Sequence, residues 1–151
     1  LGCGAGFFTL PAAELVGPAG QVIATDVQPE MIQATLQAAG KANLANIRVY
    51  LTPEYELPQG LPPCDWVILA YVLHEVADPG RLLALARSAL KPGGRLLILE
   101  WPKEAGPHGP PLAERLGLED LARLYQPLKL NQVQYLDGGA EYYALILVPE
   151  P

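Results

Sequence analysis

Leu1-Gly2-Cys3-Gly4-Ala5-Gly6 opens the chain with glycine at every second position. Such spacing lets a backbone turn sharply and approach a ligand without Cβ clashes, which suits the turn between a strand and a helix facing a nucleotide-like cofactor. The dinucleotide fingerprint needs G-x-G-x-x-G, and its sixth place counted from Gly2 is Phe7, so the third glycine falls one residue early and the loop argues against NAD. About twenty residues on, Gln21-Val22-Ile23-Ala24-Thr25-Asp26 reads as a short buried strand closing on an acid able to accept hydrogen bonds from both hydroxyls of a ribose. The same glycines also fit a plain turn, and the same acid also fits a cap leading the next helix.

Taken together, glycine loop, helix, strand and terminal acid resemble the class I S-adenosylmethionine-dependent methyltransferases, whose first motif ends in Leu-Gly-Cys-Gly-x-Gly and whose second strand ends in this acid. The resemblance continues through Asp65-Trp66-Val67-Ile68, Leu73-His74-Glu75-Val76 and Leu90-Lys91-Pro92-Gly93-Gly94-Arg95-Leu96, in the order of the small-molecule, quinone-biosynthesis-like branch. It implies an α/β fold: a doubly wound, Rossmann-like, mostly parallel sheet that ends in an antiparallel hairpin, carried by a single domain over residues 1–151. The strand that feeds the glycine loop would lie upstream of Leu1, so the first strand is apparently missing and the domain reads as N-terminally incomplete, its neighbours left unpaired.

Along the chain, a short helix is expected from Phe7 to Val16, with Pro11 in its first turn and Gly17-Pro18 as its stop. Pro29 opens a second helix, with Met31, Ile32, Leu36 and Ala39 on its core face and Gly40 as its C-terminal stop. Ile47 to Leu51 reads as a strand, followed by the loop Thr52 to Pro58. Cys64 to Ala70, nearly all apolar after its acid, reads as a central strand buried on both faces. Asp78-Pro79 caps a helix whose stripe is Leu82, Leu83, Leu85, Ala86, Ala89 and Leu90 and which Lys91 to Gly94 ends; Arg95 to Trp101 is the next buried strand. Beyond a Pro- and Gly-rich surface loop, Pro102 to Pro111, Leu112 to Tyr125 has a helical pattern weakened at Gly117, and Lys129 to Leu136 and Tyr142 to Val148 flank a turn as a hairpin.

Composition narrows the function classes. The chain has 151 residues, half of them hydrophobic, and no apolar run approaches the roughly 18 residues of a membrane span. With no signal peptide in view and two cysteines, Cys3 and Cys64, at no metal or disulfide spacing, a soluble cytoplasmic protein is expected, without a metal. Ten scattered basic residues against a net charge of −6 leave no stripe for a phosphate backbone, so no nucleic acid is expected as substrate.

The resemblance implies S-adenosylmethionine as cofactor, with contacts from Leu1, Gly2, Cys3, Gly4, Gly6, Asp26, Val27, Met31, Glu54 and Ala70. In it the glycine-loop amides would meet the methionine carboxylate, Asp26 the ribose and Met31 the adenine. Met31 equally fits core filler. One departure stands out: that branch commonly carries Gly-Asp-Ala after the third strand, with the Asp on the adenine amino group, and here Thr52-Pro53-Glu54 puts proline at the acid's place. Glu54 reads either as its replacement or as a solvated loop acid.

Methyl transfer from a sulfonium is an in-line displacement, largely a matter of alignment, so a base is optional. His74 is the candidate base and Tyr71 the candidate acceptor-side residue, although Leu73 to Val76 also fits a helical turn whose histidine is polar surface. His108 and Tyr142 and Tyr143 are weaker candidates for the acceptor side. Ala70-Tyr71-Val72-Leu73 replaces the Asn/Asp-Pro-Pro-Tyr of many enzymes methylating planar nitrogen, and the thiols are misplaced for arsenite chemistry, which leaves O- or C-methylation of a small organic acceptor, with a homodimer as an option. A catalytically silent cofactor-binding module and a Rossmann-like enzyme of another class stay open beside that reading.

Overall fold

The computed structural model describes residues 1–106, 108–139 and 141–150. Pro107 of the expected loop and Ala140 of the expected turn lie outside the described residues. The chain divides into two compact units, Leu1–Gly60 and Leu61–Pro151.

In the first unit the glycine loop leads into α1 (Thr9–Val16), then β1 (Val22–Asp26), α2 (Pro29–Lys41) and β2 (Ile47–Leu51). β1 and β2 run parallel, with Val22 opposite Ile47 and Asp26 opposite Leu51. The crossover is α2, opened by Pro29 in its first turn, where a missing N–H costs nothing. Asn46 ties the unit together: its side-chain amide donates to the carbonyls of Ala13 at 2.8 Å and Gly17 at 2.9 Å.

Three expectations are corrected here. α1 starts at Thr9, two residues late, because Phe7 and Phe8 belong to the turn. Gly40 does not stop α2; the helix runs through it to Lys41, and Asn43 takes the left-handed conformation at φ 54° instead. Leu36 is 46% exposed, whereas Thr35 beside it is fully buried, so the core face is Ile32, Thr35 and Ala39.

In the second unit β3 (Cys64–Ala70), α3 (Pro79–Ser88), β4 (Leu90–Glu100), α4 (Leu118–Tyr125), β5 (Leu130–Asp137) and β6 (Tyr143–Pro149) follow in order. The sheet order is β3-β4-β6-β5, with β3 and β4 parallel and β6 antiparallel to both β4 and β5. The C-terminal hairpin is therefore as expected. The core is built from the inward positions of β4 and β6, including Leu96, Ile98, Leu145 and Leu147, against Leu82, Leu83 and Ala86 of α3. Asp78 caps α3 by accepting the N–H of Arg81 at 2.9 Å.

β3 is not central in this sheet but its edge, and only Val67 and Leu69 are buried, with Trp66 44% exposed. Leu90 belongs to β4 rather than to the α3 stripe: it pairs with Cys64, and Lys91 to Gly94 bulge within the strand, Gly93 at φ 75°. The helix expected over Leu112 to Tyr125 is broken; a 3-10 turn at Leu112–Glu114 precedes α4, and Gly117 is the α4 N-cap. Among the described residues, no helix is long and apolar enough to cross a membrane.

Candidate active site

In the first unit the candidate cofactor residues gather on the glycine loop. Gly2, Gly4 and Gly6 all have positive φ, at 67°, 51° and 90°, a conformation that L side chains rarely adopt. At Gly4 an added Cβ would meet nothing within 4 Å, so the loop presents open backbone there. At Gly6 it would stand 2.7 Å from Leu10 Cδ1 and 3.3 Å from Thr35 Oγ1, so the loop lies directly on α1 and α2.

Asp26, at the carboxyl end of β1, clasps this loop. Its Oδ2 accepts the N–H of Gly4 at 2.9 Å and its Oδ1 accepts the N–H of Gln28 at 3.0 Å, with the side chain buried. Each carboxylate oxygen retains a lone pair beyond these bonds. Thr35 completes the clasp from α2 by donating to the Gly4 carbonyl at 2.8 Å, while Cys3 N–H donates to the Thr25 carbonyl at 2.9 Å. Burial raises the Cys3 thiol pKa, so the thiol stays protonated at neutral pH.

The other expected cofactor residues of this unit are more exposed. Val27 is 53% exposed just past Asp26, Met31 is half-buried in the first turn of α2, and Leu1 is half-buried at the loop's start. Glu54 is exposed in a turn next to Tyr55, which has φ 61°. Thr35 and Asn46 carried no signal in an apolar reading of the sequence.

In the second unit the parallel strands β3 and β4 end at Ala70 and Glu100. Ala70 pairs with Leu99, and Tyr71 continues the ladder by donating its N–H to the Leu99 carbonyl at 2.8 Å. Tyr71 then turns the chain with φ 57°, and its ring meets the Trp101 ring with centroids 4.9 Å apart. Burial, then the Glu100 charge, raises the Tyr71 hydroxyl pKa.

His74 is not the polar-surface residue of a helical turn. It sits in a non-helical turn with its side chain 7% exposed and Nδ1 2.7 Å from Glu100 Oε2. Glu100, which sequence reasoning missed, is 1% exposed; its Oε1 accepts the N–H of Leu73 at 2.9 Å and its Oε2 that of Trp101 at 3.3 Å. Burial pushes the Glu100 carboxyl above its ordinary range, and His74 pulls it back. Both backbone N–H groups donate to this carboxyl, and in its ionised form it accepts from His74 Nδ1–H as a third donor. In the tautomer with Nδ1–H on Glu100 the lone pair is on Nε2, which lies 4.0 Å from the exposed carboxylate of Glu75. The missed signal was a lone acid closing an apolar strand, the pattern already read at Asp26.

His108 offers its backbone carbonyl to Arg115 at 2.5 Å, a role in loop structure. Tyr143 is buried in β6 and donates its hydroxyl to the Leu116 carbonyl at 2.6 Å, which places it in the core.

Residues 1–117 match the family described as a methyltransferase domain. The ubiquinone/menaquinone biosynthesis C-methyltransferase of Pasteurella multocida is 36% identical over 106 residues, covering 66% of this chain and 38% of that protein. The demethylmenaquinone methyltransferase of a Geobacillus species is 31% identical over 98 residues, covering 65% of this chain and 42% of that protein. The chain thus spans about two fifths of the length of such curated relatives. Among solved structures, a S-adenosylmethionine-dependent methyltransferase from Aquifex aeolicus superposes with TM-score 0.89 at 28% identity, covering 97% of this chain and 78% of that one. Magnesium protoporphyrin IX methyltransferase from Synechocystis, solved with S-adenosylmethionine bound, shares the fold at TM-score 0.77 and 18% identity over 99% of this chain and 67% of that one. With most of its length inside the family match, and both its fold and its glycine loop accounted for by it, this chain belongs to the methyltransferase-domain family.

Proposed function

We propose that this domain binds S-adenosylmethionine and methylates a small organic acceptor on oxygen or carbon, with a reduced quinone-like ring as the leading acceptor class. The observation that carries the reading is the clasp of Asp26 on Gly4 within a loop of three left-handed glycines. It fits the cofactor by chemistry: the N–H groups of Cys3, Gly4 and Gly6 are held within the unit by Thr25, Asp26 and Cys3, so the loop offers close backbone approach rather than those amides, and the spare lone pairs of Asp26 suit ribose hydroxyls. When bound, S-adenosylmethionine supplies a methyl group activated by its sulfonium.

This chain's own residues then hold and deprotonate. Asp26 keeps the loop shut and orients the ribose, and Met31 at the start of α2 offers a thioether surface to a flat base. In the second unit His74 Nε2 takes the acceptor's proton, and Glu100 holds Nδ1–H so that the lone pair stays on Nε2. The acceptor class draws support from the two quinone-biosynthesis relatives. Pro53 favours the rival reading of a silent cofactor-binding module, since it cannot make the adenine contact of its family position.

Thermal shifts with S-adenosylhomocysteine and NAD test the cofactor, and label transfer from methyl-labelled S-adenosylmethionine to reduced demethylmenaquinone and to a cell extract tests turnover. A shift with S-adenosylhomocysteine alone, plus labelled product, is expected. A shift with NAD alone refutes the cofactor, and cofactor binding without labelled product from any source leaves the silent module.

A further inference from the structure

The segment from Pro102 to Pro110 leaves the carboxyl end of β4 with no helix or strand among its described residues, yet it is fastened by one side chain. Arg115, 4% exposed, donates Nε to the Pro110 carbonyl at 3.0 Å, Nη1 to those of Pro102 at 3.1 Å and Glu104 at 2.7 Å, and Nη2 to that of His108 at 2.5 Å. The planar fork with its five N–H groups suits convergent carbonyls, and a lysine's three donors on a single nitrogen cannot reproduce it.

The fastened loop bears on Trp101. Gly109 lies so close that a Cβ there would stand 2.6 Å from the indole Cδ2, and its φ of 91° keeps the position to glycine. The Arg115 guanidinium carbon is 5.8 Å from the same ring's centre, and Tyr71 packs on it at 4.9 Å. Tyr71 and Trp101 are the first residues beyond the carboxyl ends of the parallel strands β3 and β4, the edge where ligands of such sheets bind.

We infer that Arg115 is a positioning residue for the methyl acceptor: by clamping the loop onto Trp101 it holds the indole, and through it the Tyr71 ring, as one preformed aromatic wall on the acceptor side. The inference rests on the methyltransferase reading proposed above. Preformed walls lower the ordering cost of binding, so releasing the clamp should weaken acceptor binding before it alters the chemical step.

Trp66 and Trp101 are the two tryptophans, so a Trp66→Phe background leaves Trp101 as sole reporter. In that background Arg115→Met and Arg115→Lys release the loop, and Gly109→Ala pushes it off the ring with the charge intact. The readouts are Trp101 emission with its acrylamide quenching, the 19F resonance of Tyr71 in fluorotyrosine-labelled protein (assigned by its loss in Tyr71→Phe), and kinetics with reduced demethylmenaquinone. All three variants should shift Trp101 emission to the red, move the Tyr71 resonance, and raise the acceptor KM about tenfold with kcat and S-adenosylhomocysteine affinity nearly kept. Folded variants in which Trp101 and Tyr71 do not respond overturn the clamp, and so does a response of both rings with an unchanged acceptor KM. A wild type that binds S-adenosylhomocysteine but methylates nothing refutes the functional reading instead, and the two spectroscopic readouts still decide whether Arg115 positions the rings.

Discussion

Replacing Glu100 by glutamine keeps the side chain's shape while removing its charge and turning one acceptor into a donor. In the wild type the carboxylate takes the N–H groups of Leu73 and Trp101 and stands 2.7 Å from His74 Nδ1, in a place 1% exposed. An amide oxygen turned toward Leu73 leaves the NH2 group facing Trp101 N–H, donor against donor, and His74 Nδ1, which must then accept. One stranded buried donor costs about 1–3 kcal/mol, and removing a desolvated carboxylate gives part of this back, so a net loss of about 1–2 kcal/mol in urea unfolding is expected.

The larger effect of Glu100→Gln is on the imidazole. With Nδ1 accepting, the ring proton moves to Nε2, which can no longer act as base, so the methyl-transfer rate should fall roughly 10²–10⁴-fold with cofactor affinity kept, and His74→Asn should show the same fall. The 15N shifts of His74 report the tautomer directly. A variant that shows the flipped tautomer yet keeps its rate to within about twofold refutes His74 as the base and leaves alignment alone to do the work. Burial raises the folded-state pKa of Glu100 above the ordinary 4.5. Its contribution to stability is therefore fully present below 4.5 and is lost as the pH rises through the raised value, so the stability advantage over glutamine should narrow across that window.

Asp26→Ala strands the N–H groups of Gly4 and Gln28 and removes the ribose acceptor, so S-adenosylhomocysteine binding measured by calorimetry should weaken by about 1–3 kcal/mol; unchanged affinity in folded protein removes the ribose assignment. Gly6→Ala forces a Cβ to within 2.7 Å of Leu10 at φ 90° and should cost about 1–3 kcal/mol in urea unfolding, where a neutral result would mean that the loop lies off α1. Lys103 and the Gly117 N–H hold the Asp120 carboxyl below its ordinary 3.8, so its stabilisation is present above 3.8 and lost as the pH falls through the lowered value. Asp120→Asn should flatten that acid limb of the melting profile, and an unaltered limb would show that the capping contact carries no linkage.

The first unit was legible because its signals are local. Alternating glycines permit the left-handed backbone found at all three of them, and an acid at the end of a short apolar run marks where β1 stops. What escaped was polar burial. Thr35 rather than Leu36 faces inward because its hydroxyl has a partner, the Gly4 carbonyl, and a satisfied hydroxyl is buried at little cost. A periodicity counted on apolar residues alone rotates α2 by one position. Similarly, Gly40 reads as a stop by propensity, but Asn43 also tolerates the left-handed turn and takes it.

The second unit hides its chemistry in strand register. His74 and Glu100 are 26 residues apart, and neither predicts the other by spacing. They meet because Ala70 pairs with Leu99, which sets the turn after β3 beside the last residue of β4. In each unit an acid at the carboxyl end of a strand accepts one backbone N–H from the residues just after it and one from a loop earlier in the chain: Asp26 from Gln28 and Gly4, Glu100 from Trp101 and Leu73. An apolar strand closing on a single carboxylate is therefore a stronger sign of a fixed loop than of solvent exposure, because the desolvation cost is tolerable only where several donors converge. By that criterion the glutamate after Leu96 to Leu99 belonged with Asp26 among the site residues, and the histidine it orients follows from it.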